Sequence, residues 1–237
     1  MKKALFLAVL AAGINSLCGA TPNVVFEADF TQSPDAKRGD KIVKPYPVKN
    51  GTGTKLETDP ERGLIIGENK ATAYFSIKDL LKSAAGSIEI SVRNVDWDSK
   101  DRKVHLLLQA DQPGLLFFYK HSNDGAAVYF SNAENKQKIF LHRMPDWRED
   151  TVHHCVFTWN GNALSLYIDG TKAAEGKFEM PAQMPNRIFI GSPGNVRMSA
   201  GTTAIRSVKI YDAALTPAEV AEKFRKNLPQ DKDILDE

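Results

Sequence analysis

The stretch His154-Cys155-Val156-Phe157-Thr158-Trp159-Asn160-Gly161, continued by Leu164-Ser165-Leu166-Tyr167-Ile168-Asp169-Gly170, decides the fold. Asn-Gly and Asp-Gly supply the positive φ angles that tight hairpin turns require. The two pairs turn the chain twice within eleven residues, so strand 152–159 pairs with 163–168, which pairs with 171–178. Side chains alternate between the two faces of a strand. Cys155, Phe157 and Trp159 therefore share one face, and His154, Val156 and Thr158 the other. Cys155 reads as a small buried apolar residue beside Phe157 and not as a reactive thiol.

Outward from this meander, short runs rich in β-branched and aromatic residues recur at 24–30, 73–77, 87–92, 104–110, 115–120, 126–131 and 138–142, and again at 187–191 and 203–211. Asn50-Gly51 and Asn123-Asp124-Gly125 add further turn signals. Many short strands at close spacing predict an all-β antiparallel sandwich or jelly roll, not alternating βαβ units. One helix follows. Thr216-Pro217-Ala218-Glu219 is a capping box with proline at the first helical position. Val220, Phe224 and Leu228 then recur at one-turn spacing, giving an apolar face to lay on the sandwich, and Pro229 stops the helix.

The 237 residues are 42% hydrophobic and 25% charged, which excludes wholesale disorder and supplies enough core to fold without a metal or disulfide. Lys2 and Lys3, the apolar run 4–12 and the small exit Cys18-Gly19-Ala20 read as a secretory signal peptide cleaved after Ala20. Lipid attachment at Cys18 is the weaker alternative, because Leu17 stands where a small residue is expected. Residues 21–228 are then one domain and 229–237 an acidic tail, in a secreted or periplasmic protein without a membrane span. Without the first twenty residues the 31 basic residues fall to 29, matching the 29 acidic ones. No basic cluster of nucleic-acid type remains, so a phosphate-backbone partner is not expected.

The His-led strand, its Asn-Gly turn and the following Leu-Tyr-Ile-Asp-Gly resemble the paired-strand motif of laminin G-like domains in the concanavalin A-like lectin/glucanase superfamily. The segment Ile188-Phe189-Ile190-Gly191, then Ile205 to Tyr211, then Ala214-Leu215-Thr216 with Glu219, resembles that family's closing strand and helix start. The resemblance covers the C-terminal third; Gly86 to Val92 matches an inner strand more loosely. It implies a laminin G-like jelly roll, and says little about function, since these residues make hairpins and pack a sandwich.

Catalytic relatives on this fold are implied to carry a Glu-x-Asp-x-(x-)Glu run on one strand. The matching strand here offers only Glu89, with Ser87, Ser91 and Arg93 on its face, so no catalytic residue is assigned. Asp96, Asp98 and Asp101 fall in a polar loop after it. No nucleophile elbow, phosphate loop or zinc helix is present. His153 and His154 point to opposite faces, which disfavours shared metal ligation, and His105, His121 and His142 stand singly. The resemblance also raises calcium, for which hard oxygen ligands from several loops are needed. Arg206 and Ser207 stand where the family often has an acid; Glu27, Asp29, Asp111 and Asp124 remain candidate ligands elsewhere.

Binding remains. Sugar recognition uses aromatic faces on the apolar side of the ring and planar polar groups on the hydroxyls. Trp97 and Trp147 lie in polar segments: Trp97 suits an exposed or a packed position equally, whereas for Trp147 core packing is the stronger reading and partial exposure the alternative. Tyr119, His121 and Tyr129 flank the Asn123-Asp124-Gly125 hairpin, either joining them or filling the sheet face. These five are the candidate ligand-binding residues of a non-catalytic, carbohydrate-binding module. The alternatives are a glycan hydrolase or lyase on the same fold, and a protein-interaction or structural surface module.

Overall fold

A computed structural model describes residues 21–111, 115–122, 125–131, 137–143 and 147–227. The predicted signal segment with Cys18, the tail with Leu228 and Pro229, and Asn123 and Asp124 lie outside the described residues. The strands are β1 (Val24–Asp29), β2 (Ala36–Arg38), β3 (Lys41–Val43), β4 (Tyr46–Val48), β5 (Glu57–Asp59) and β6 (Gly63–Gly67). They continue with β7 (Thr72–Ser76), β8 (Ala85–Asn94), β9 (His105–Asp111), β10 (Leu115–His121), β11 (Gly125–Ser131) and β12 (Gln137–Arg143). The last are β13 (Thr151–Asn160), β14 (Ala163–Ile168), β15 (Thr171–Lys177), β16 (Arg187–Ile190) and β17 (Thr202–Tyr211), before helix α1 (Pro217–Asn227).

Every predicted strand is present, in two antiparallel sheets. The first runs β15-β14-β13-β8-β17-β1-β2-β3, with β6 also on β17 and β5 on β6; the second runs β12-β11-β10-β9-β16-β7-β4. The meander pairs as its turns require, Cys155 opposite Ile168 and Trp159 opposite Leu164. Cys155, Phe157 and Trp159 face the core between the sheets, together with Ile88, Ile90, Leu108, Leu116, Phe118 and Ile188. Burial pushes the Cys155 thiol well above its ordinary range, so the thiolate is suppressed. The short strands β2 to β6 were not predicted.

Helix α1 lies on the outer side of the first sheet. Val220 and Leu215 bury against Val156, Tyr167 and Tyr211. Gly170 has φ 76°, and a Cβ there would sit 2.9 Å from the Phe224 ring, so the β14–β15 turn admits the helix only as glycine. The capping box is formed: Glu219 N donates to Thr216 Oγ1 at 3.3 Å, and Thr216 N donates to Glu219 Oε2 at 2.7 Å. Thr216→Ala is expected to cost about 1 kcal/mol, read as a lower urea midpoint with unchanged slope.

Candidate functional site: the outward face of the second sheet

Three faces of the sandwich carry chemically distinctive side chains, and the predicted site residues are divided between two of them.

Trp97 and Trp147 are only 2% and 3% exposed. Core packing, the stronger reading for Trp147, holds for both, and their candidacy as exposed ligand platforms is corrected. The two indoles belong to a column of rings at the end of the sandwich where β8 finishes and β13 and β17 begin. His105 stacks on Trp97 with centroids 4.1 Å apart, Trp97 lies 6.0 Å from Trp147, and Trp147 stacks on His153 at 3.9 Å. Carboxylates hold both outer rings: Asp101 Oδ2 is 2.6 Å from His105 Nε2, and Asp169 Oδ2 is 2.8 Å from His153 Nδ1. Trp97 Nε1 also donates to Thr203 Oγ1 at 2.9 Å. The acids flanking Trp97 in sequence bond to backbone amides, Asp96 accepting from Thr202 N and Asp98 from Lys100 N. Neither ring presents a face to solvent.

Asp101 also accepts from the buried Lys120 ammonium, which stands 6.0 Å from the Trp97 ring. Burial raises the Asp101 carboxyl, but the hydrogen bonds from Lys120, Lys103 N and His105 outweigh it and hold the group below its ordinary range. Desolvation conversely lowers His105 against the pull of Asp101. The cluster is a salt-bridged corner in which Asp101 is already occupied.

Glu89 lies on the outer face of the first sheet, roofed by α1. Its carboxylate accepts from the Tyr211 hydroxyl and lies 3.1 Å from His154 Nε2. Burial pushes Glu89 up, yet the hydrogen bond and charge of His154, with Tyr211 and Lys209, hold it down at about 2. Register places Glu27, Lys209 and Glu89 side by side across β1, β17 and β8. Two strand spacings, about 9.5 Å, thus separate two carboxylates. Lys209 stands between them and pairs with Glu27 at 3.0 Å. Helix α1 covers Glu89, whereas Glu27 stays partly exposed beyond Lys209, so the two carboxylates do not face each other across a cleft.

The outward face of the second sheet is different. Backbone register aligns Tyr46, Tyr74, Phe189, Gln109, Phe117 and Tyr129 in one row across β4, β7, β16, β9, β10 and β11. Their neighbours Ala73, Phe75, Ile188, Ile190, Leu108, Ala110, Leu116 and Phe118 face the core, so alternation sends Tyr46, Tyr74, Phe189, Gln109 and Phe117 outward. Tyr46 and Tyr74 have ring centroids 5.9 Å apart, and Tyr74 and Phe189 5.2 Å. Tyr46 is 67% exposed, while Phe189 lies beneath Tyr74 and the Arg187 guanidinium, 5.8 Å from its ring. Arg187 is held by Asp111 at 2.8 Å, with Gln109 alongside. The same face carries Tyr119, buried with Leu106 beside Phe117 and Met198, and the half-buried His121, 5.9 Å from Tyr119.

Of the predicted residues, then, Tyr119 and His121 lie on this face, Tyr129 is there by backbone register with its side chain outside the described part, and Trp97 and Trp147 do not reach it. Sequence reasoning missed Tyr46, Tyr74, Phe117 and Phe189. Tyr74 carried the clearest signal, a polar-edged ring between inward Ala73 and Phe75.

Among the described residues, no three His, Cys, Asp or Glu side chains converge as a metal site would require. Of the calcium candidates, Glu27 pairs with Lys209, Asp111 with Arg187, and Asp29 accepts from Thr31; Asp124 is outside the described residues. Arg206 donates to the Glu61 carbonyl at 2.7 Å. No described helix is long and apolar enough to cross a membrane.

A family model described as the concanavalin A-like lectin/glucanases superfamily matches residues 68–221. The chain belongs to that superfamily, and its fold is the laminin G-like jelly roll. Among solved structures it is similar to the binding domain of botulinum neurotoxin DC in complex with SialylT, at 11% identity and TM-score 0.68, over 86% of this chain and 51% of that one. It is also similar to the binding domain of Paraclostridial Mosquitocidal Protein 1, at 15% identity and TM-score 0.65, over 86% and 52%. The botulinum neurotoxin serotype D binding domain gives 10% and 0.65 over the same shares. The chain spans about half the length of these structures, and at such identities the likeness is one of fold. No curated protein matches the chain in sequence.

Proposed function

We propose that this protein is a non-catalytic binding module that holds a glycan on the outward face of the second sheet. The observation that carries the reading is the accessible pair Tyr46 and Tyr74, ring centroids 5.9 Å apart, backed by buried Phe189 5.2 Å from Tyr74 and flanked by an arginine, an aspartate and a glutamine. Aromatic rings offer flat apolar faces to pyranose C–H groups, and fixed planar polar groups beside them suit hydroxyls. Rigid strands set the spacing in advance, which lowers the ordering cost of binding. The superfamily's name includes lectins, and the similar structures are binding domains; both support the same reading.

The enzyme alternative finds less support. Glu89, the carboxylate nearest the catalytic pattern, is buried beneath α1 and fully engaged by His154 and Tyr211.

A glycan array followed by calorimetric titration of the best polysaccharide tests the proposal. Tyr74→Ala is expected to weaken binding about tenfold, the equivalent of one well-stacked ring, measured at a temperature where the variant, which also loses packing on Phe189, is fully folded. Binding to no glycan, or affinity indifferent to Tyr74→Ala, would sink it; capture of a protein partner in that case would favour the interaction-module reading.

A further inference from the structure

We propose that a groove at the other end of the sandwich from the tryptophan column takes a carboxylate- or sulfate-bearing sugar residue, so that the glycan is an acidic one. The inference rests on the sheet-face reading and extends it. The groove encloses about 730 Å³ between residues 78–84 and 182–186. Leu81 and Met184 form a buried apolar floor, while the exposed Lys78, Lys82, Gln183 and Asn186 make the rim. That combination, an apolar base with a few polar groups converging above it, suits one saccharide ring.

The walls are fixed by the fold and need no ligand to shape them. Ile77 N donates to Asn186 O at 2.9 Å and Leu80 N to Ile77 O at 3.1 Å. The Lys82 carbonyl accepts from the indole of fully buried Trp159 at 2.7 Å, and the Ala84 carbonyl from Gly161 N at 2.7 Å. Arg38 donates to the Lys78 carbonyl at 3.2 Å, which brings a third cation to the rim. Asp79 is the one carboxylate among the lining residues. Among the described residues, neither Lys78 nor Lys82 has a carboxylate within ion-pair distance, unlike Lys70, Lys120, Lys172, Lys209 and Lys226. A rigid groove with unneutralised ammonium groups favours an anion.

Continuity with the aromatic row decides what bears that anion. Asn186 leads directly into Arg187 on the outward face, and Lys78 lies two residues beyond Ser76, which is opposite Arg187 in register. From Tyr74 to Ser76, the end of β7, is about 7 Å at the rise of an extended strand, and Lys78 follows in the turn closed by Leu80 N on Ile77 O. An oligosaccharide that stacks on Tyr74 and runs along β7 reaches the groove past Arg187.

The test is an amide-shift titration at constant ionic strength with glucuronate, glucose 6-sulfate, glucose and acetate, followed at Ser83, Gln183 and Asn186. Saturable shifts are expected with the two acidic sugars, at least fivefold tighter than with glucose and absent with acetate. K78Q/K82Q, which changes only exposed side chains, is expected to weaken them about tenfold with the melting temperature unchanged. Glucuronate binding no tighter than glucose, an equal response to acetate, or indifference to K78Q/K82Q would overturn the proposal. Neutral polysaccharide binding through Tyr74 with a silent groove overturns this inference alone. Acidic sugar in the groove with Tyr74→Ala inert supports the groove and overturns the sheet-face reading.

Discussion

Trp147→Ala is expected to destabilise the protein by about 3–5 kcal/mol while leaving the glycan affinity of the folded fraction unchanged. The indole is buried between Trp97 and His153, so truncation leaves a large cavity and breaks the ring column. The column joins the loop after β8 to the starts of β9 and β13, and through Thr203 to β17. Loosening one ring therefore loosens the corner as a unit. Trp147 Nε1 is buried without a hydrogen-bond partner among the described residues. Trp147→Phe keeps the stacking and removes that unsatisfied donor, so its cost is expected to be much smaller. Urea unfolding of the two variants, with titration at a temperature where both are folded, checks the prediction. An alanine cost below 1 kcal/mol, or a lost affinity at full folding, would return Trp147 to the role of an exposed platform.

The second large effect concerns Glu89. Its ordinary carboxyl value is 4.5 and its folded value about 2. The difference is worth roughly 3 kcal/mol of folding stability, at about 1.4 kcal/mol for each pH unit. Because the folded value is depressed, that stability is complete above pH 4.5 and is lost as the pH falls through 2. Glu89→Gln is thus expected to be about 3 kcal/mol less stable at pH 7 and to show a flatter stability curve between pH 4.5 and 2. Helix α1 covers this site, so amides of α1 lose hydrogen-exchange protection first in the variant. Tyr211→Phe removes one of the donors and gives a smaller change in the same direction. An unchanged acid limb in Glu89→Gln would show that another group carries the acid sensitivity.

The sandwich itself was legible because its longest strands announce themselves locally. Asn160-Gly161 and Asp169-Gly170 fix the meander, and alternation along 154–159 correctly sorts core from outer face. Strands β2 to β5 are three residues long, too short for any period to register. β6 is bracketed by Gly63 and Gly67, which exist for a tertiary reason. Cβ atoms there would lie 2.3 Å from the Ile205 carbonyl and 2.0 Å from that of Gly201, a crowding that no local pattern records.

The site was half legible for the same reason. Asp96-Trp97-Asp98 reads as a solvated segment, yet the acids turn to backbone amides and the indole turns inward onto His105. Local polarity misleads when charged neighbours have partners distant in sequence. Phe117 and Phe189 sit in unbroken apolar runs, where alternation cannot tell the outer face from the core. Tyr46 lies on a strand that was not predicted. Only the sheet order, which places β4, β7 and β16 side by side, makes a row of rings from residues as far apart as 46 and 189.

Chemical-shift mapping with the tightest-binding polysaccharide decides whether the glycan lies on the outward face of the second sheet. Amides of Tyr46, Tyr74, Gln109 and Phe189 are expected to shift together and saturate at one affinity, while those of Trp97, Trp147 and helix α1 stay still. Shifts confined to the tryptophan corner or to the helix-covered sheet, with the row of rings unmoved, would contradict it.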